Sequence, residues 1–89
     1  MQQKLTKLAE SIDGELYTDS THLILYATDA SAYREIPTAV CVPKSWDDVR
    51  KVIAFASKER LPVIPRTAGT SLAGQVVGKG IVVDLSKNF

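Results

Sequence analysis

The stretch "PRTAGTSLAGQ", Pro65 to Gln75, concentrates residue types suited to holding an anion. Arg66 brings a permanent positive charge, and Thr67, Thr70 and Ser71 bring hydroxyl donors. Gly69 and Gly74, with Ala68 and Ala73 beside them, allow a backbone to approach a ligand closely. Successive main-chain amides in such a segment form a concavity suited to phosphate or diphosphate. A connection between strands ordinarily needs about two to six residues, so joining alone does not account for this length. The segment also follows an apolar stretch that reads as a strand, and ligands in open α/β sheets gather outside the carboxyl ends of strands.

Better-known motifs come close and fail on particular residues. Gly69 to Gly74 has the glycine spacing of a P-loop, but Gln75 stands where the phosphate-binding lysine is required. The dinucleotide fingerprint G-x-G-x-x-G is absent; Gly78 to Gly80 gives a G-x-G with nothing helical after it. "GTSLAG" has one residue too many between Ser71 and Gly74 for the G-x-S-x-G of a nucleophile elbow. The single histidine, His22, forms no credible partnership with Ser71. A kinase, a Rossmann dehydrogenase and a serine hydrolase are therefore excluded.

The elements that must position this segment are legible in the hydrophobic pattern. Leu5, Leu8 and Ile12 recur at helical spacing and predict a helix over Gln2 to Asp13, stopped by Gly14. Glu15 to Thr18 reads as a short strand, and Asp19 or Ser20 as the cap of a short helix through Tyr26. "TAVCV", Thr38 to Val42, is an apolar run between Pro37 and Pro43, hence a buried strand. Ser45 with Asp48 three residues on forms a capping pattern, and Val49, Val52, Ile53 and Ala56 predict an amphipathic helix over Trp46 to Arg60. Pro62 forbids its continuation. "PVIP", Pro62 to Pro65, and "GIVVDL", Gly80 to Leu85, complete the set of apolar strands. Strand, helix and strand in this order predict a right-handed crossover between parallel neighbours, in a sheet covered on both faces.

At 89 residues the chain holds one small domain, which hides only roughly 60 to 65% of its unfolded surface on folding. A formal charge of +1 with dispersed basic residues argues against a nucleic-acid face and against a polybasic membrane anchor. Cys41 is the one cysteine, so no internal disulfide and no cysteine-based metal site can form. No apolar run reaches the ~18 residues of a membrane span, and the polar start lacks a signal-peptide core. The expected location is cytoplasmic.

Other residues take structural readings. Cys41 is expected in the core, Trp46 in packing across a helix end rather than stacked on a base, and His22 at the surface or an edge. Asp29 suits a turn. Asp84, costly to bury unpaired, is expected to face solvent or meet a nearby base. On the residues alone three readings of the loop stay open: a phosphate cup in an enzyme, a stand-alone nucleotide- or anion-binding α/β module without redox activity, and a structural connection.

The order of the motifs carries a further signal. An apolar strand ending in V-x-P is followed by an S-x-x-D-V helix, a strand ending in P-x-R, a small-residue loop ending T-S-L-x-G, and an I-V-V-D-L strand. This arrangement resembles the first half of an FAD-binding domain of the p-cresol methylhydroxylase (PCMH) / vanillyl-alcohol oxidase type. "YATDASAY", Tyr26 to Tyr33, is similar to the segment preceding that domain in the branch of D-lactate dehydrogenases and the glycolate oxidase flavin subunit. The likeness covers roughly residues 26 to 87.

The resemblance implies an α/β (α+β) fold with a small, largely parallel three- to four-stranded sheet flanked by helices. Residues 1–36 would be a helical lead-in and 37–89 the first lobe, with the second lobe and substrate domain lying outside these residues. It implies an FAD-dependent oxidoreductase acting on a 2-hydroxy acid such as D-lactate or glycolate, with no catalytic residue or metal ligand in this chain. The FAD diphosphate would rest on Arg66, Thr67, Ala68, Gly69, Thr70, Ser71, Leu72, Gly74 and Gln75, with Pro43 near the adenosine end. Many members carry R-G-G-G-T where this chain has Thr67 and Ala68, and Thr67 requires an ordinary backbone angle. Members with a tethered flavin carry histidine where Thr70 stands, so FAD is expected to bind here without a covalent link. Expected partners are FAD and the remainder of the same protein, with room for an iron–sulfur or other electron acceptor. Binding of FAD by the 89 residues alone is expected to be weak or absent.

Overall fold

The computed structural model of the chain describes residues 2–25, 37–67 and 80–89. In chain order the elements are α1 (Gln2–Ser11), β1 (Glu15–Tyr17), α2 (Ser20–Leu25), β2 (Ala39–Val42), α3 (Trp46–Glu59), β3 (Val63–Arg66) and β4 (Ile81–Asp84). The expected boundaries shift by one or two residues, and Tyr26, the expected end of α2, lies outside the described residues. Asp19 caps α2: its Oδ2 accepts the His22 amide at 3.1 Å.

The strands form one sheet in the order β1-β2-β4-β3. β1 runs antiparallel to β2, with Glu15 opposite Val42. β2 and β3 both run parallel to β4, Cys41 and Pro65 each standing opposite Val83. The largely parallel, helix-flanked sheet is therefore the expected one, with one correction. β2 and β3 are parallel but not neighbours, because β4 lies between them. Ile81 to Asp84 are all buried, and a strand apolar on both faces is most stable at the centre of a sheet. β3 takes an edge, where Pro65 fits. Ile81 N donates to Pro62 O at 2.8 Å and Leu85 N to Arg66 O at 2.7 Å, so the position lacking an N–H faces away from β4.

Alternation along β2 and β4 divides the core between the two faces of the sheet. Ala39, Cys41, Ile81 and Val83 pack with Leu5, Leu8 and Ile12 from the α1 side and Val52 and Ala56 of α3. Val40, Ile64 and Val82 form the opposite face, with Tyr17 and Leu23 against them. Cys41 is fully buried, as expected. Burial, then the charge of Asp48, pushes its thiol pKa up to about 12, so it behaves as a small apolar residue.

α3 begins as its sequence requires. Ser45 is extended at φ −152° and ψ 165°, and its Oγ accepts the Asp48 amide at 3.2 Å. Ser45→Ala should cost about 1 kcal/mol, a drop of roughly 4–8 °C in melting temperature for a domain of this size. An unchanged thermal melt would count against the cap. The far end differs from expectation. Arg60 adopts a left-handed conformation at φ 58° and ψ 41°, with its amide directed to Ala56 O and Ser57 O. Leu61 N then donates to Ala56 O at 2.8 Å. The helix is thus closed by its own terminal hydrogen bonds before Pro62 can act on it.

Candidate functional site

Because β2, β4 and β3 are parallel, their carboxyl ends stand level at one edge of the sheet. Arg66 is opposite Asp84, and Val42 is one residue beyond the Cys41–Val83 pair. The segment with the anion-binding composition leaves from this edge. Arg66 is half-buried, its carbonyl tied to Leu85 N, and Thr67 is exposed. Ala68, Gly69, Thr70, Ser71, Leu72, Gly74 and Gln75 lie outside the described residues, as does Asp29. The chain re-enters at Gly80, where a Cβ would stand 2.5 Å from Ile64 Cδ1 and 2.7 Å from Pro62 O, so a side chain there has no room.

Pro43 stands at the same edge but is fully buried. Asn88 Nδ2 donates to its carbonyl at 3.0 Å, and Gly14 is pressed against its Cα. Its ring therefore presents no surface to a ligand within this chain; what it contributes is the seating of the β2 end.

Asp48 organises this edge in a way the capping pattern does not disclose. It is 1% exposed, and its carboxylate accepts three main-chain amides: Asp13 at 2.9 Å, Gly14 at 2.8 Å and Lys44 at 3.0 Å. Burial pushes its pKa up, but the amides of Lys44, Asp13 and Gly14, joined by the Lys51 ammonium, outweigh burial and hold it below the ordinary carboxylate value. One side chain thus binds the α1–β1 connection to the β2–α3 connection. A signal was available in the sequence: 48, 52 and 56 share one helical stripe, so Asp48 sits on the core-facing side with Val52 and Ala56.

Asp84 is also buried, at 2% exposure, which overturns the solvent-facing alternative. Its Oδ1 accepts the Ser86 amide at 2.9 Å, an Asx turn that directs the chain away from β4. His22 lies flat on Tyr17, with ring centroids 3.8 Å apart, and its Nδ1 contacts Asp19 at 2.7 Å. Its hydrogen bond to His22 holds the Asp19 pKa below the ordinary value. Beside this stack a cleft of about 390 Å³ opens, lined also by Glu15, Lys44 and Lys87. Among the described residues no group of His, Cys, Asp and Glu could hold a metal ion, and no helix is long and apolar enough to cross a membrane.

The first turn of α3 also lies at this edge; Ser45 accepts its Asp48 amide, and Asp47 and Asp48 place carboxylates in it. Arg66 and Thr67, a guanidinium and a hydroxyl, open the small-residue segment. Residues 37–89 match the family described as FAD binding domain. The chain belongs to that family.

FAD is the cofactor of the FAD binding domain family, and the relatives agree with the match. D-2-hydroxyglutarate dehydrogenase of Escherichia coli (strain K12) is 34% identical over 83 residues, covering 90% of this chain and 8% of the relative. Glycolate oxidase subunit GlcD of the same strain is 33% identical over 87 residues, covering 93% of this chain and 17% of the relative. The chain therefore spans less than a fifth of these relatives. Among solved structures, 4-ethylphenol oxidase from Gulosibacter chungangensis, in complex with isoeugenol, superposes with a TM-score of 0.74. The match covers 98% of this chain and 18% of that one, at 20% identity, and so speaks for the fold. The PCMH-type fold expected from the motif order is the fold found.

Proposed function

We propose that the chain is the diphosphate-gripping part of an FAD-dependent oxidoreductase acting on a 2-hydroxy acid. Residues 37–89 would form the first lobe of the FAD-binding domain and residues 1–36 its lead-in. The supporting observation is the placement of Arg66 and Thr67 at the carboxyl edge of three parallel strands, at the head of a segment rich in amides and hydroxyls. The 2-hydroxy acid class follows the named activities of the relatives, D-2-hydroxyglutarate dehydrogenase, glycolate oxidase and cytochrome D-lactate dehydrogenase. FAD, when bound, supplies the acceptor for the hydride that leaves the hydroxyl-bearing carbon as the 2-oxo acid forms.

This chain's part is to hold and orient. Arg66 offsets the diphosphate charge, Thr67, Thr70 and Ser71 donate hydroxyl hydrogen bonds, and Ala68, Gly69, Leu72, Gly74 and Gln75 contribute backbone amides. Asp48 and Asn88 keep the neighbouring strand end rigid through Lys44 and Pro43. No residue among these is a base or nucleophile for the substrate.

Gly69→Val should abolish flavin incorporation in the full-length protein while leaving its fold intact. Normal flavin stoichiometry in that variant, read from the visible spectrum, would remove the loop from the proposal. A hydrogen bond to a charged phosphate is worth about 1.5–3 kcal/mol, whereas immobilising a ligand costs about 4–15 kcal/mol. Calorimetric titration of the 89-residue chain with FAD should accordingly give a dissociation constant above about 1 μM, or no measurable heat. Sub-micromolar binding would show that these residues hold the cofactor unaided.

A further inference from the structure

α1 and α3 lie on one face of the sheet, Leu5 and Leu8 of the first reaching the same core as Val52 and Ala56 of the second. The two helices run antiparallel. Lys4 Nζ meets Glu59 Oε1 at 3.2 Å near one end, and Lys51 Nζ donates to Ser11 O at 2.7 Å near the other. Between these cross-ties a groove of about 410 Å³ is open. Leu8 and the half-buried Phe55 give it an apolar surface, and the Ser11 hydroxyl is already spent on Leu8 O at 2.8 Å. Lys7 and Lys58 stand at the groove from opposite helices, and neither has an ion-pair partner among the described residues. The ammoniums of Lys4, Lys7 and Lys58 are set against the single carboxylate of Glu59, a surplus of two positive charges.

The volume falls in the range of small-ligand sites, roughly 300–1,000 Å³. From Lys4 to Ser11 the helix rises about 10 Å, which sets the span between the cross-ties. A partner helix is itself about 10–12 Å across and runs on past such a span, so the tied groove suits a short ligand instead. Two chemistries are wanted at once. Leu8, Phe55 and the lysine stems favour an apolar body, and the surplus charge favours a negative head. Inorganic phosphate meets only the second need and an alcohol only the first. We propose that the α1–α3 groove binds a small amphipathic carboxylate, a monocarboxylic acid anion whose linear apolar tail lies on Leu8 and Phe55 and whose head is taken by Lys7 and Lys58. The groove flanks the last turns of α3, whereas the carboxyl edge of the sheet is where α3 begins. The ligand is therefore distinct from anything held by Arg66 and Thr67, and the inference does not depend on flavin.

The test is an amide NMR titration of the 89-residue chain with octanoate, whose extended tail matches the span between the cross-ties. Saturating shifts should gather at Lys7, Leu8, Phe55 and Lys58, with a dissociation constant of about 0.1–1 mM for so small a ligand. Octylammonium, with the same tail and the opposite charge, should bind at least ~10-fold more weakly. The paired variant Lys7→Gln with Lys58→Gln should weaken octanoate at least ~5-fold. Its melting temperature should be unchanged, because both side chains are exposed and unpaired. Equal binding of the two ions would overturn the proposal, as would undiminished octanoate binding by the variant, or shifts that fail to saturate or lie away from the groove. Saturating shifts with hexaglutamate and none with octanoate would also overturn it, making the groove a seat for acidic polypeptide. Shifts at these residues that grow with protein concentration alone would overturn it in favour of a second copy. None of these readouts involves flavin, so a chain that takes octanoate while its full-length protein holds no FAD would sink the proposed function and leave this inference standing.

Discussion

Asp48→Asn should lower the unfolding free energy by about 3 kcal/mol at neutral pH, the cost of setting a donor against buried main-chain donors. The amide oxygen can occupy the place of Oδ2 and keep the Gly14 and Lys44 bonds, but the amino group then faces the Asp13 amide. Turned the other way, it faces two amides. The charge that strengthens all three bonds is lost in either case. For a domain of this size the change corresponds to a fall of roughly 12–24 °C in melting temperature, well beyond the loss expected from Ser45→Ala.

The acid profile separates this account from a general packing defect. The folded pKa of Asp48 lies below its ordinary value, so its stabilisation is fully present above the unfolded value of about 4. It is lost as pH falls through the folded value. The gap between the parent chain and Asp48→Asn should therefore be constant near neutrality and narrow below about pH 4. Denaturant melts at a series of pH values would measure it, and a gap that persists unchanged into acid would show that the charge is not what holds the turns together.

Gly14→Ala is the second change with a large expected effect. An added Cβ would stand 2.3 Å from Val42 O, 2.8 Å from Pro43 Cα and 3.0 Å from Lys44 N. All three are backbone atoms, so no flexible side chain can yield. Relief requires moving the α1–β1 connection away from β2, which pulls the Gly14 amide off Asp48 and strains the Glu15–Val42 pairing. The expected loss is about 2–3 kcal/mol, read from a denaturant midpoint. Combined with Asp48→Asn it should cost less than the sum, because both changes break one clamp. Strict additivity would indicate two independent defects.

Much of this architecture could be read from residue order. Leu5, Leu8 and Ile12 place α1, and Val52 and Ala56 place α3 on the sheet with Ser45 as its cap. The apolar runs place β2, β3 and β4, and the loop stands out by composition. Three features escaped for physical reasons. The insertion of β4 between β2 and β3 is a choice among pairings that local periodicity does not distinguish, since each of the three strands satisfies the same apolar pattern. The grip of Asp48 on Asp13 and Gly14 joins residues some 35 positions apart, and a helix cap that needs only Ser45 conceals it. Arg60 likewise shows no glycine to announce its left-handed turn.

The position of β4 has a consequence for how the molecule comes into being. β2 and β3 are made first yet have no edge in common, and each needs Ile81 to Asp84 as its hydrogen-bonding partner. During synthesis β3 must wait with its ladder groups unmet, and β2 has only its β1 edge paired, until Ile81 to Asp84 have been made. Assembly is then governed by distant rather than local encounters, which slows it and leaves the early strands vulnerable to the wrong companions.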